Sequence, residues 1–249
     1  MKINIVSKDL RYTKVNELLL QRGYNSFICS IDTYTGCDCL ILSVANELTD
    51  RELKELLAKT NINTLVLSGN KPRIKSYFEG EVIDYSKDEE FLQRNAILTA
   101  EGTVSYLHTL TKASLNSKRI FISGYGRIGK ALCPILKALG AQIYVYARRK
   151  EVREEIISQG YISAELNYST QCDIVINTVP THIFSKELIN NIPKDAFIVE
   201  LASSPYGFED MERVNIASAL PGKILPISAA YAVFDTIDNI LSKAGKDNI

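Results

Sequence analysis

Short apolar runs alternate with stretches of helical period along the whole chain. Ile3–Val6 predicts a strand, and Asp9–Gln21 a helix closed by Gly23. Cys39–Ala45 reads C-L-I-L-S-V-A, a nearly continuous apolar run of the kind that forms a strand covered on both faces. Thr49 stands where it can cap a helix over Asp50–Lys59. Thr64–Ser68 predicts another buried strand, and Val82–Tyr85 a short one. Strands joined by helices pair in parallel through right-handed crossovers. Residues 1–94 therefore read as one α/β domain, expected on the substrate side.

A helical connector follows over 95–116. Lys87–Arg94 has helical character, Asn95–Thr99 interrupts it, and Thr99 can cap a second helix to about Ala113. No Gly-, Ser- or Pro-rich tether separates the halves. A second α/β series then occupies 117–227, with strands expected at Arg119–Ser123, Gln142–Ala147, Asp173–Thr178, Ala196–Ala202 and Ala217–Leu220. A last helix runs from Ser228 to about Ser242, in a segment (228–249) expected to pack back across the domain junction. The fold class expected is α/β: two Rossmann-like, doubly wound parallel-sheet domains joined by a helical connector.

The chemistry concentrates where the second series begins. Arg119–Ser123 runs directly into Gly124-Tyr125-Gly126-Arg127-Ile128-Gly129 and then a helix. A G-x-G-x-x-G set between a strand and a helix is the dinucleotide fingerprint. Gly124 serves the tight turn, Gly126 lets a pyrophosphate approach bare backbone, and Gly129 lets helix and strand pack closely. Amides at the helix start then hold the phosphate. Pro134, inside that helix, is expected to bend it or remove a hydrogen bond. The plainer reading is a glycine-rich turn without a ligand.

One strand further on, Tyr146-Ala147-Arg148-Arg149-Lys150 has no acidic residue at its tip. An acid there would accept from the 2′-hydroxyl of NAD, whereas arginine suits the 2′-phosphate of NADP. NADP is therefore expected, held by Ala147, Arg148 and Arg149. A solvated basic helix start is the alternative. Asn177-Thr178-Val179-Pro180 and Ala202 end later strands and are expected beside the nicotinamide ribose. His182 and His108 are the only histidines, and neither has a partner carboxylate evident in sequence. Ser203 and Gly222 also fall at strand ends, as do Ser43, Gly69 and Lys71 in the first domain. Thr99 and Glu101 would face those first-domain ends across a crevice suited to a small polar substrate.

Composition narrows the partners. Apolar residues make up 46% of the chain and charged residues 23%, enough for a real core. Lys+Arg and Asp+Glu are both 29, which argues against nucleic acid or an anionic membrane as principal partner. Five cysteines at irregular spacing suggest a reducing compartment, and the lone Cys37-Asp38-Cys39 is a weak metal signal. No metal is expected. No apolar run approaches a membrane span, and the start of the chain lacks a signal-peptide layout, so a cytoplasmic location is expected.

With these residues in place, the chain resembles the dipicolinate synthase family, in the first of that enzyme's two kinds of subunit. The resemblance rests on N-A-I-L-T-A-E-G from Asn95, G-Y-G-R-I-G-K, A-L-G-A, A-R-R, I-N-T-V-P, L-A-S-S-P-Y-G and A-L-P-G-K, in that order. It covers the chain from about Asn95 onward and the first domain only loosely. It implies an NADP-dependent oxidoreductase that takes dihydrodipicolinate to dipicolinate during sporulation, in the mother cell. It also implies a partner, the flavoprotein-like second subunit of dipicolinate synthase. Four positions depart from the family pattern. Ser204 and Ile227 stand where basic residues are expected, and Tyr206 and Ala230 where glycines are expected. A dicarboxylate needs cations or convergent N–H donors, and Arg94, Lys71 and Lys223 are the substitutes on offer. Loss of a hydride and a proton aromatises a dihydropyridine ring, so one weak base suffices. Glu101 is the candidate base, with Thr99, Asn95 and Ser203 orienting the substrate. Another NADP-dependent dehydrogenase of a small carboxylic acid, of hydroxyacid or shikimate type, is an alternative. So is a non-catalytic NADP-binding assembly subunit. The state of oligomerisation is left open.

Overall fold

The blocks of apolar residues become two parallel sheets. A computed structural model describes residues 1–45 and 47–244; the end of the C-terminal segment expected at 228–249 lies outside the described residues. The first sheet is built from β1 (Lys2–Val6), β2 (Asn25–Ile28), β3 (Cys39–Leu42), β4 (Leu65–Ser68) and β5 (Val82–Asp84), in the order β2-β1-β3-β4-β5. Its crossovers are α1 (Arg11–Gln21), α2 (Asp50–Ala58) and the short α3 (Lys71–Lys75). Thr49 caps α2 in a reciprocal capping box with Glu52, so two orphan amides are satisfied at once. β3 is buried at every position, as its sequence requires of a strand covered on both faces.

A single uninterrupted helix, α4 (Glu89–Thr111), replaces the broken connector expected from sequence. The polar positions that suggested a break are accommodated inside it. Thr99 and Thr103 are buried, and the Thr103 hydroxyl donates to the Thr99 carbonyl at 2.7 Å.

The second sheet follows, with β6 (Arg119–Ser123), β7 (Gln142–Tyr146), β8 (Ile162–Ser163), β9 (Ile174–Asn177), β10 (Phe197–Glu200) and β11 (Val214–Ile216), in the order β11-β10-β9-β6-β7-β8. All pairs are parallel. Its helices are α5 (Arg127–Ala138), α6 (Lys150–Ser158), α7 (Lys186–Asn191) and α8 (Leu220–Ile224). The strand expected at Ala217–Leu220 is displaced to β11, because Leu220-Pro221 instead opens α8, where a proline fits the first turn. α5 runs through Pro134 without a break. The last helix is α9 (Pro226–Ala244).

The chain forms two compact units, Met1–Asn95 with Leu225 onward, and Ala96–Ile224. In the first, Ala230, Val233, Ile237 and Leu241 of α9 join Ile3, Ile5, Tyr12, Val15 and Leu19 in one apolar cluster. In the second, Ala100 and Leu107 of α4 pack with Ile120, Ile122, Leu132 and Val145. Among the described residues, no helix is long and apolar enough to cross a membrane.

Candidate functional site

The second unit gathers its polar groups at the carboxyl ends of β6, β7, β9 and β10. β6 is apolar and fully buried through Ile120, Phe121 and Ile122, which fixes where the chain emerges at Gly124. Gly124 has φ +94°, in the left-handed region that favours glycine. A Cβ there would also come within 2.5 Å of Thr178 Oγ1. The Thr178 hydroxyl in turn donates to the Ser123 carbonyl at 2.8 Å and pins β9 to the turn. At Gly129 a Cβ would lie 2.4 Å from the Gly124 carbonyl oxygen, so only glycine lets α5 sit this close. Gly126 differs: a Cβ there would meet no protein atom within 4 Å. The space beside it is open, and no side chain caps α5. The first-turn amides of a helix have no intrahelical acceptor, so they face that space as donors.

A pocket of about 270 Å³ opens here, bounded by Gly124, Gly126, Ala147, Arg148, Arg149 and Val179. Ala147 is buried at the end of β7, while Arg148 and Arg149 are exposed. Neither arginine is ion-paired among the described residues. Of the other expected cofactor residues, Tyr125 turns its ring inward against Tyr161, and Ile128 packs on the unit's core. These two contribute backbone, not side chain. Arg127 is exposed at the first position of α5.

The strands bring a further group to this edge, one not singled out from sequence. Ser123, Asn177 and Glu200 are the last residues of β6, β9 and β10, and the register pairs them in one row. The Ser123 hydroxyl donates to Asn177 Oδ1 at 2.6 Å. Asn177 Nδ2 donates to the two carboxylate oxygens of Glu200 at 2.7 and 3.0 Å. Glu200 also accepts from the amides of Ala202 at 2.8 Å and Gly207 at 2.7 Å. It is wholly buried. Burial pushes its pKa above the ordinary glutamate value, and the donors from Gly207, Asn177 and Ala202 pull against that rise. The signal in sequence was a charged residue closing the apolar run F-I-V-E, but its partners come from strands far apart in the chain.

The expected substrate residues are placed less compactly. Asn95, Thr99 and Glu101 all lie on α4. Thr99 is buried and Glu101 is exposed; two residues apart, they project about 200° from each other around the helix. The helix therefore does not bring those two side chains together. Thr178 and Val179 are half-buried and Pro180 is exposed, while Ala202 is buried and Ser203 exposed. Arg94, offered as a substitute cation, is already held by Asp235 and by Glu90. His182 is exposed, and His108 bonds the Val104 carbonyl within α4.

An open approach to Gly126, an uncapped helix start and two unpaired arginines fit a dinucleotide. The comparisons with known proteins agree. The family described as "D-isomer specific 2-hydroxyacid dehydrogenase, NAD binding domain" matches residues 78–206, just over half of the chain. The chain belongs to this family. Membership makes it a dehydrogenase that uses a nicotinamide dinucleotide, and it accounts for the glycine turn. Within the range of this dehydrogenase family, the chain is similar to the first subunit of dipicolinate synthase from Bacillus subtilis. The two are 24% identical over 243 residues, covering 92% of this chain and 81% of that protein. The crystal structure of the corresponding dipicolinate synthase subunit from Bacillus halodurans superposes with a TM-score of 0.82 at 21% identity, over 96% of this chain and 97% of that one. A transhydrogenase from Sinorhizobium meliloti has the same fold at TM-score 0.73 and 14% identity, over 96% and 94% of the two chains. The Rossmann-like dehydrogenase fold with two parallel-sheet units is thereby shown.

Proposed function

We propose that this dehydrogenase uses NADP and oxidises dihydrodipicolinate to dipicolinate. The observation that carries the cofactor choice is the tip of β7. Arg148 and Arg149 line the pocket beside the glycine turn, and no acid stands where a 2′-hydroxyl would need one. The similarity over most of its length to a dipicolinate synthase chain supports the substrate.

In this reading the backbone from Gly124 to Gly129 receives the diphosphate, and the two guanidinium groups receive the 2′-phosphate. Thr178, Val179, Pro180 and Ala202 flank the nicotinamide ribose. The bound cofactor supplies hydride acceptance. The ring must also lose a proton, and Glu101, the exposed member of the α4 set, takes it. Asn95, Thr99 and Ser203 orient the substrate. A flavoprotein-like second subunit completes the assembly, in the mother cell of a sporulating bacterium. A second reading is a subunit that binds NADP without turnover. Ser204 and Ile227 favour it, because both stand where the resemblance expects cations for the two carboxylates.

The test is an assay of the purified chain with NADP⁺ and freshly generated dihydrodipicolinate, alone and with the second subunit. Dipicolinate formation above the spontaneous rate is expected. Cofactor binding without product under either condition would leave the non-catalytic reading standing in its place.

A further inference from the structure

The row Ser123–Asn177–Glu200 leaves a question the cofactor pocket does not answer. Glu200 has no exposed surface, and among the described residues no lysine, arginine or histidine pairs with it. Moving a carboxylate out of water without a cation is costly, so such a group persists only where dipoles replace the water.

Those dipoles are all of one kind. Every partner of the Glu200 carboxylate is an N–H donor: Asn177 Nδ2, the Ala202 amide and the Gly207 amide. The Asn177 side chain cannot reverse to offer its oxygen, because its position is fixed from both ends. Its Oδ1 accepts from the Val179 amide at 3.1 Å, and its Nδ2 donates to the Val179 carbonyl at 2.8 Å. A proton on Glu200 would therefore have no acceptor to point at. The cage is also tight, since a Cβ on Gly207 would lie 2.3 Å from Asn177 Nδ2. The geometry selects the ionised form.

We infer that Glu200 is a buried negative charge that makes the pocket prefer the oxidised, positively charged nicotinamide over the reduced, neutral one. This rests on the reading of the pocket as a nicotinamide dinucleotide site. In parallel sheets of this class the ligand lies beyond the carboxyl ends of the strands. Glu200 closes β10, and the segments it ties down, from Asn177 to Val179 and from Ala202 to Gly207, are those that flank the ring. An uncompensated charge in a low-dielectric wall acts on a cation there and leaves a neutral ring almost unaffected. A carboxylate that only braced the loop would change both affinities together.

Calorimetric titration of the full chain with NADP⁺ and with NADPH separates the two roles. The wild-type protein is expected to bind the oxidised form at least as tightly as the reduced one. Glu200→Gln is expected to move the ratio of dissociation constants by about tenfold toward the reduced form. Glu200→Asp keeps the charge and is expected to hold the wild-type ratio even where both affinities fall. Binding of 2′-phosphoadenosine 5′-diphosphoribose, which lacks the ring, should change by the same factor as NADPH in each variant. An unchanged ratio in Glu200→Gln overturns the inference. So does a wild-type protein that binds NADPH tenfold or more tightly than NADP⁺, a reading available even if neither variant folds. If the wild-type protein bound neither nucleotide, the assignment of the pocket itself would fall, and the inference with it.

Discussion

Gly126→Ala isolates the diphosphate site from the fold. In the protein alone an alanine Cβ at this position meets nothing within 4 Å. The backbone there has φ −87° and ψ −159°, an extended conformation that alanine adopts without strain. Two opposing terms act on stability. Replacing glycine removes freedom from the unfolded chain, worth about 0.4–1 kcal/mol. Alanine is a poorer residue than glycine at a helix N-cap, by roughly the same amount. The net change should be near zero, and for a chain of this size the melting temperature should move by less than about 2 °C. The cofactor is affected differently, because the methyl group enters the space through which a diphosphate reaches the first-turn amides of α5. Loss of one charge-assisted hydrogen bond costs about 1.5–3 kcal/mol, or roughly ten- to a hundredfold in affinity. The chain has no tryptophan, so NADPH fluorescence or calorimetry gives a clean binding signal, and circular dichroism gives the melt. A variant that melts like the wild type and binds NADPH just as tightly would refute the placement of the diphosphate.

Gly129→Ala should behave in the opposite way. Its Cβ overlaps the Gly124 carbonyl at 2.4 Å, so α5 must retreat, at a cost of about 1–3 kcal/mol that appears as a lower melting temperature without any ligand. Arg148→Asp should weaken NADP binding about ten- to a hundredfold while leaving NAD much less affected; equal losses measured by calorimetry would remove Arg148 from the 2′-phosphate site. At α2, hydrogen bonds from the Thr49 amide, the Lys8 ammonium and the Thr49 hydroxyl hold the Glu52 carboxyl down to about 2, against 4.5 ordinarily. A depressed carboxyl stabilises the fold above its unfolded pKa, and that contribution is lost as pH falls from about 4.5 towards 2. Thr49→Ala should thus destabilise by about 1 kcal/mol at pH 7, and the gap in melting temperature between it and the wild type should narrow in acid. A gap that is constant from pH 7 to pH 3 would contradict the shared role of Thr49 and Glu52.

The strands buried on both faces were legible because their code is simple: β3, β6 and β9 are apolar without interruption. β2 was not, since Ser26 is its only buried residue and it lies at an edge of its sheet. α3 spans five residues and carries a proline, too little for a helical period to show. The connector misled for a physical reason. Polar Thr99 and Thr103 read as a break, yet a threonine hydroxyl can bond the carbonyl one turn back and be buried within a continuous helix. At the site, the local part was readable: the glycine turn and the basic tip of β7 are contiguous in sequence. Glu200 was not, because its meaning depends on an amide seven residues later and on an asparagine from the neighbouring strand. The relation of Thr99 to Glu101 likewise needed the helix to be continuous before their opposed directions followed.

The central claim is that the turn after Ser123 and the arginines closing β7 together bind a 2′-phosphorylated nicotinamide dinucleotide. Side-by-side calorimetric titrations of the wild-type chain with NADP⁺ and NAD⁺ test it most directly. The account predicts saturable binding of both, with NADP⁺ tighter by at least about tenfold, as one charge-assisted phosphate contact requires. Equal affinities, or tighter binding of NAD⁺, would contradict it.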